Sequence, residues 1–304
     1  MGSVFRCHPL AEGGQDRAIK FLAPELIGDA EMCSRFRREG RLCNQLQHPH
    51  LVAVYEHGSH QGCPYLVMDL IAGASLDRIL DKSGALDWRK AVSVAAQIAD
   101  VLAYLQSQGV VHRDIKPENM LIDSRQRVTL IDLGFAKVRG ESDERQSGAH
   151  ESQQLTMAGT ALGSPAYMAP EQILDAMNAT HATDCYCLGA SLYHMLTGKL
   201  PYDGSNAMQV MQLVLQGECP PVRALQPSLP ASLDALVAWM MRADPAQRPA
   251  ELSQVHGLLK RIHQNPQDCQ GLPVTRVRRW RWLLVLLALI LAGLAGVYAL
   301  VLKG

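Results

Sequence analysis

Two aspartates separated by short apolar runs are the residues of this chain best placed to do chemistry. Asp114 and Asp132 enclose Lys116 and Asn119, and the apolar runs MLI and VTLI stand on either side of the polar stretch DSRQR. Short runs rich in β-branched residues predict strands, and the polar stretch predicts the turn of a β-hairpin. Asp114 then precedes the hairpin and Asp132 follows it, so the two carboxylates can converge on one cleft.

This set of side chains suits phosphoryl transfer. The transferred group is highly charged, so its catalysis depends mainly on positioning and electrostatic stabilisation. One carboxylate can orient and deprotonate a hydroxyl group, the other can hold Mg²⁺, and a carboxamide oxygen can hold a second ion. A single HRD tripeptide is common by chance, so the prediction depends on the complete pattern.

The complete pattern, H-R-D-x-K-x-x-N followed by D-L-G, resembles the catalytic loop and the metal-binding motif of protein kinases. The resemblance implies that Asp114 is the base, that Lys116 steadies the γ-phosphate of ATP, and that Asn119 and Asp132 hold Mg²⁺ or Mn²⁺. The lysine two residues after the base resembles the serine/threonine subtype. Leucine replaces the commoner phenylalanine of D-F-G, and activity is expected to tolerate the change because leucine is also apolar.

Lys20 and Glu39 complete the catalytic set that the resemblance implies. Lys20, in the run AIK, resembles the strand lysine that holds the α- and β-phosphates of ATP. Glu39 lies in the segment 25–46, which is helical by its apolar spacing, and takes the place of the family's glutamate partner for that lysine. A solvated glutamate on a charged helix is the alternative, and the flanking AIK and HPHLV runs favour the ion pair.

The glycine-rich loop of the family is matched only by its final part. The opening run MGSVF supplies Gly2 as the third glycine and Val4 as an ATP contact, and Ala18 is implied to be another. The family's first strand and first two glycines have no counterpart, so the resemblance implies a truncated loop. Either the start has been placed at an internal methionine or the kinase is truly truncated.

Two further strands, over residues 51–56 and 65–69, are expected before the chain enters a second lobe. The resemblance implies that Met68 is the gatekeeper residue of the nucleotide site. It also implies that the backbone from Asp69 to Ile71 meets the adenine edge of ATP.

The segment after D-L-G turns polar and resembles an activation loop. Thr156 and Thr160 are its candidate phosphorylation sites, and Arg113 beside the base could receive such a phosphate. An unmodified flexible loop is the alternative. The run GSPAYMAPEQ that follows resembles the peptide-docking loop and the A-P-E motif, which implies that Ser164 can hydrogen-bond Asp114 and Lys116.

Four residues, Arg113 among them, are implied to be structural. Glu171 of A-P-E would pair with Arg248 of the run DPAQRP. Asp184 would begin a helix at an N-cap position and hold the backbone of the catalytic loop. The Glu171–Arg248 pair separates protein kinases from the small-molecule kinases that share the base and the metal-binding acids.

Composition sets broad bounds on the class of protein. The chain has 304 residues, 48% of them hydrophobic, which suffices for one two-lobed domain or two small ones. Its 29 basic and 29 acidic residues cancel, so no excess of charge predicts nucleic-acid binding. Eight cysteines without a C-x-x-C spacing predict free thiols rather than disulfides or a metal site. No apolar segment opens the chain, which predicts no secretory signal.

The C-terminal part predicts one membrane span. Residues 281–302 contain an uncharged run long enough to cross a bilayer as a helix, and the basic run RVRRWR before it predicts a cytoplasmic kinase domain at the cell membrane. A juxtamembrane linker, 263–280, precedes the span, and a short external tail, 303–304, follows it. Small residues recur every four positions in the span and permit a homodimer. A buried core helix is the alternative.

The resemblance therefore implies an α+β, two-lobed protein kinase fold over residues 1–262. The small β-rich N-lobe, 1–71, lacks the family's first strand, and the larger α-rich C-lobe spans 72–262. The expected function is phosphorylation of serine and threonine in protein substrates, the chain itself included, with ATP and Mg²⁺ in membrane-tethered signalling. One alternative is a catalytically weak pseudokinase scaffold, motivated by the missing strand and glycines. Another, a small-molecule kinase, conflicts with A-P-E.

Overall fold

In the computed structural model of this chain, the internal contacts separate two units, Met1–Gly271 and Leu272–Gly304. The structure describes residues 2–8, 14–133, 136–138, 165–175 and 179–273. All of the helices and strands given below lie in the first unit.

A four-stranded antiparallel sheet forms the first part of the fold. Its strands are β1 Ser3–Cys7, β2 Arg17–Phe21, β3 Val54–His60 and β4 Cys63–Asp69. They pair in the order β1-β2-β4-β3. The register sets Val4 opposite Lys20 and Ala18 opposite Met68. Because alternate residues of a strand share a face, these four side chains lie on one face of the sheet.

Helix α1, Ala30–Gln45, packs against strands β3 and β4 of this sheet. Gly40 permits the close approach, because a Cβ atom there would lie only 2.6 Å from the Cδ2 atom of Leu66. The residue before it is Glu39, which is buried. The glycine contact therefore sets how near the carboxylate of Glu39 lies to the sheet.

Two predicted elements have wrong boundaries. The helix predicted over residues 25–46 starts after Asp29, because the Asp29 carboxylate accepts hydrogen bonds from the free N–H groups of its first turn. The strand predicted over residues 51–56 is displaced toward the C-terminus as β3. Its expected first residues pair elsewhere, since the N–H group of Val52 donates to the carbonyl oxygen of Leu130.

Short strands frame the predicted catalytic segment. They are β5 Gly73–Ser75, β6 Val110–Val111, β7 Met120–Asp123, β8 Val128–Leu130 and β9 Lys137–Val138. Strands β5, β7 and β8 form one sheet, and β6 pairs with β9. Strands β7 and β8 are antiparallel neighbours, which confirms the predicted hairpin. Asp114 lies in the loop before this hairpin, and Asp132 lies just after its second strand, β8.

Helices make up most of the remainder. They are α2 Leu76–Ser83, α3 Trp88–Ser107, α4 Pro170–Leu174, α5 His181–Thr197, α6 Ala207–Gln216, α7 Val222–Leu225, α8 Ala231–Met240 and α9 Leu252–Gln264. Helix α3 contacts both α5 and α9, and its apolar face is fully buried. The predicted N-cap of α3 is confirmed, because the Asp87 carboxylate accepts from the N–H groups of Arg89 and Lys90.

The start of α5 differs from the prediction. Thr180 is the N-cap of this helix, and its hydroxyl oxygen accepts from the N–H group of Ala182. The prediction that Asp184 takes the N-cap position is therefore wrong. Asp184 lies inside the first turn and is 1% exposed, and its carboxylate bonds to another part of the chain.

The predicted membrane span, 281–302, lies outside the described residues. Within the described part of the chain, no helix is long and apolar enough to cross a bilayer. The predicted linker, 263–280, begins inside α9, whose last residue is Gln264.

Candidate active site

Side chains of the predicted catalytic loop converge on Asp114. The Nδ2 group of Asn119 donates to Oδ2 and to the main-chain oxygen of Asp114, both at 2.8 Å. The ammonium of Lys116 lies 2.9 Å from the other carboxylate oxygen, Oδ1, and 20% of the Asp114 side chain stays exposed. The carboxylate is thus held from two sides and remains accessible.

A buried aspartate holds the backbone of the same loop. The two carboxylate oxygens of Asp184 accept the N–H groups of His112, at 2.9 Å, and of Arg113, at 2.8 Å. Arg113 has a φ of 70°, in the left-handed region that residues with side chains rarely adopt. Burial raises the pKa of Asp184 to about 7, against the opposing effect of the two N–H donors. Gln172, which sequence reasoning missed, also donates to the Arg113 carbonyl, at 2.8 Å.

We expect Asp184→Asn to lower stability and activity together. Asparagine has one acceptor oxygen where the carboxylate uses two, so one N–H group of the loop would face an NH₂ group. Hydrogen bonds to charged groups contribute about 1.5 to 3 kcal/mol each, and we expect the free energy of unfolding to fall by about that amount. Denaturant unfolding measures the change. An unchanged midpoint with full activity would show that Asp184 does not hold the loop.

A second cluster joins β2, α1 and the end of the hairpin. The Nζ atom of Lys20 lies 3.3 Å from Oε1 of Glu39 and 3.1 Å from Oδ2 of Asp132. All three side chains are at most 14% exposed. Burial alone would lower the pKa of Lys20, but the two carboxylates outweigh it and raise that pKa above its ordinary value. One ammonium therefore links two carboxylates that would otherwise repel each other.

The ionisation of Glu39 predicts a pH dependence of activity. Burial raises the pKa of Glu39 to about 7, although the ammonium of Lys20 opposes the shift. The ion pair requires the carboxylate, which predominates above that pKa, so we expect kcat/KM for ATP to rise with pH through about 7. In Glu39→Gln, activity should be lower and this rise should be smaller. ATP and Asp184 titrate near the same pH in both proteins, so only the difference between the two profiles belongs to Glu39. Identical profiles would contradict the prediction.

Asp132 and Asn119 supply the oxygen donors that Mg²⁺ prefers. The Nδ2 group of Asn119 donates to Asp114, so its Oδ1 oxygen can still coordinate a metal ion. Asp132 has a φ of 71°, in the left-handed region that aspartate adopts more readily than most residues. The described residues contain no group of three His, Cys, Asp or Glu side chains that could hold a metal. Two oxygen donors from the chain suit an ion whose other ligands are phosphate oxygens and water.

The predicted ATP contacts Val4, Ala18 and Met68 share the sheet face that carries the lysine. Ala18 is 6% exposed, whereas Val4, on the edge strand β1, is 60% exposed. The structure gives a different reason for glycine at position 2. A Cβ atom there would overlap the main-chain carbonyl of Phe21 in β2, so the chain can approach β2 this closely only with glycine. This reason differs from the predicted contact of Gly2 with phosphate.

The predicted adenine-binding backbone begins at the last residue of β4. The N–H group of Asp69 donates to the carbonyl oxygen of Ala53 at 3.0 Å. Asp69 can therefore offer only its main-chain carbonyl to a nucleotide. Ile71 follows in the loop between β4 and β5.

Arg248 forms a buried pair with Glu171. Its Nη1 and Nη2 groups donate to Oε1 at 2.6 Å and to Oε2 at 2.8 Å. Its guanidinium also donates to three main-chain carbonyl oxygens at 2.7 to 3.0 Å, and the side chain is 0% exposed. Burial alone would raise the pKa of Glu171, but Arg248 outweighs burial and holds that pKa below its ordinary value. Thr183, which the sequence did not single out, donates to the same carboxylate at 2.8 Å.

Three predicted residues lie outside the described part of the chain. They are Thr156, Thr160 and Ser164. Their roles as phosphorylation sites and docking residue stay predictions, as does the role of Arg113 as their phosphate receptor.

Comparison with known proteins identifies the class that this fold and site define. The family model of the protein kinase domain matches residues 1–260, so the chain belongs to the protein kinase domain family. A solved structure of the PknI kinase domain of Mycobacterium tuberculosis matches with a TM-score of 0.66 at 24% identity, over 86% of this chain and 91% of that one. This likeness shows the shared two-lobed fold.

Among curated relatives, the serine/threonine-protein kinase PrkC of Bacillus subtilis is 33% identical over 231 residues, which are 76% of this chain and 34% of PrkC. The serine/threonine-protein kinase PknH of Mycobacterium tuberculosis is 35% identical over 233 residues, which are 77% of this chain and 35% of PknH. The chain thus spans about a third of the length of these relatives.

Proposed function

We propose that this chain is a serine/threonine protein kinase that transfers the γ-phosphoryl group of ATP to protein hydroxyl groups, its own included. The observation that carries the proposal is the Asp114 carboxylate, accessible and held by both Lys116 and Asn119. Membership of the protein kinase family and the names of the curated relatives support it.

Asp114 is the proposed general base. Its carboxylate accepts the proton of the substrate hydroxyl and orients the hydroxyl oxygen toward the phosphoryl group. Asn119 and Lys116 keep the carboxylate in one orientation before the substrate arrives. Lys116, beside the base, is then near enough to steady the transferred phosphoryl group by its charge.

Lys20 is the proposed ligand of the α- and β-phosphates, and Glu39 holds it at the cleft. Asp132 and Asn119 would hold Mg²⁺, and Mn²⁺ has similar ligand preferences. When bound there, the ion would supply positive charge against the charge that develops on the phosphate oxygens. Asp132 pairs with Lys20 in this structure, so its carboxylate already faces the phosphate-binding ammonium.

Proteins are the proposed substrates, rather than small molecules. The chain has an A-P-E segment, and Glu171 of this segment forms an ion pair with Arg248. This pair fixes the segment that follows the proposed docking residue Ser164. We also propose that phosphorylation of Thr156 or Thr160 regulates activity through Arg113, since a phosphate adds charge that an arginine can bind.

Membrane tethering is part of the same proposal. Its support is the uncharged run within residues 281–302 and the basic run before it, which together favour a cytoplasmic kinase domain at the cell membrane. The small residues Ala288, Ala292 and Gly296 recur along this segment and favour a homodimer.

The test is a transfer assay on the full chain in detergent with γ-labelled ATP. A generic basic protein is offered in one reaction, and small alcohols or aminoglycosides in another. We expect label on the chain and on the basic protein, and none on the small molecules or without Mg²⁺. Label on the small molecules alone would contradict the proposal. Binding of ATP without any transfer would instead support a pseudokinase scaffold.

A further inference from the structure

Three side chains from neighbouring strands meet at the residue where the predicted adenine-binding backbone begins. Arg17 of β2 donates through Nη1 to Oδ1 of Asp69 at 2.7 Å. Tyr55 of β3 donates its hydroxyl to the same oxygen, also at 2.7 Å. The Cζ atom of Arg17 lies 3.8 Å from the centroid of the Tyr55 ring. We name these three residues the hinge clamp.

An irregularity in strand pairing places Tyr55 next to Asp69. The pairing of β3 with β4 shifts register between Val54 and Glu56, so Tyr55 is the extra residue of a β-bulge. Bulges often re-aim a side chain beside an active site. Here the bulge leaves Tyr55 free to reach Asp69 at the end of β4, while Arg17 lies directly opposite Asp69 in the register with β2.

The hinge clamp lies on the sheet face opposite the one that carries Ala18 and Met68. Arg17 and Asp69 are each one residue from those positions, and successive side chains of a strand point to opposite faces. The three side chains therefore do not line the proposed ATP cleft. Their effect on a nucleotide passes through the main chain of Asp69.

We propose that Arg17 and Tyr55 are positioning residues for adenine recognition. By fixing the Asp69 carboxylate from both neighbouring strands, they hold the Asp69 main-chain carbonyl where it accepts the 6-amino group of adenine. The N–H group of Asp69 already donates to the carbonyl oxygen of Ala53, so its main-chain carbonyl is the backbone group of Asp69 that can bind a nucleotide. The inference rests on the proposed function, because it assumes that ATP binds beside residues Asp69 to Ile71.

The test compares two nucleotides that differ at the atom in question. Purine riboside triphosphate carries a hydrogen where ATP carries the 6-amino group and keeps the N1 acceptor, so it lacks only the donor to a carbonyl. Calorimetry measures the Kd of each with Mg²⁺ for the full-length wild type, for Tyr55→Phe and for the double variant Arg17→Met with Tyr55→Phe. Steady-state assays then give KM and kcat for ATP.

We expect the wild type to bind ATP more tightly than the second nucleotide. In the double variant, the ratio of the two Kd values should fall by about three- to tenfold, because the Kd for ATP rises while the other Kd stays unchanged. KM for ATP should rise by a similar factor, with kcat nearly unchanged. Tyr65→Phe is the matched control. It removes a tyrosine–carboxylate bond of the same kind, to Glu56 at 2.6 Å, from the same sheet, and should leave the preference intact.

Equal loss of affinity for both nucleotides in the double variant would show a general structural role and overturn the inference. So would a wild type without preference, or a preference that survives in the double variant. The binding measurement needs no phosphoryl transfer. A clear effect on ATP preference in a protein that transfers no phosphate would therefore refute the kinase proposal while supporting the hinge clamp.

Discussion

Asp114→Asn should lower kcat for phosphoryl transfer by about two to four orders of magnitude, the usual contribution of a general base. The asparagine keeps the shape of the side chain and can still bond to Asn119, so the fold and the affinity for ATP should change little. Initial rates with a protein substrate measure kcat, and calorimetry with Mg-ATP measures the affinity.

The control for Asp114→Asn is the same chemical change at an unrelated position. Asp203 is exposed in the loop before α6, and Asp203→Asn should leave kcat within about twofold, since surface substitutions are usually close to neutral. If Asp114→Asn kept more than about a tenth of the wild-type kcat, its carboxylate would not be the base.

Arg248→Met should destabilise the protein strongly. The change removes the guanidinium and leaves the Glu171 carboxylate, whose side chain is only 15% exposed, without its positively charged partner. Breaking a buried pair by removal of one partner costs about 3 to 5 kcal/mol. Thermal unfolding should show a melting temperature lower by roughly 10 °C for a domain of this size.

Two controls separate this effect from loss of packing or of surface charge. Arg127→Met removes an exposed pair, in which the Arg127 side chain is 60% exposed, and should cost at most about 1 kcal/mol. The double variant Glu171→Gln with Arg248→Met should recover part of the lost stability, because no uncompensated charge remains. A melting temperature within about 2 °C of wild type for Arg248→Met would show that the pair is not structural.

Local sequence patterns predicted those parts of the fold that depend on interactions between residues close together in the chain. The hairpin β7–β8 followed from two apolar runs around a polar turn, and the start of α3 from the capping potential of Asp87. The same reasoning misplaced Asp184 as an N-cap. Its carboxylate accepts two N–H groups from a loop about seventy residues earlier in the chain. The resemblance to the family implied this contact, but no local pattern encodes it.

Long-range contacts of the site were predictable only where a motif carries them. The Lys20–Glu39 and Glu171–Arg248 pairs were expected from resemblance to a family, since spacing alone cannot bring such distant residues together. The hinge clamp was missed, because it depends on a β-bulge at Tyr55 and on strand register. Neither feature has a signature in a single sequence, so only the structure could bring Arg17 and Asp69 together.

In the mechanism that we propose, Asp114 promotes phosphoryl transfer to serine and threonine. The most direct test of this role is phosphoamino-acid analysis of the full chain after incubation with Mg-ATP, beside the Asp114→Asn variant. We expect phosphoserine or phosphothreonine on the wild type and none on the variant. Equal phosphate on both proteins, phosphate confined to tyrosine, or no phosphate on a wild type that binds ATP would each contradict it.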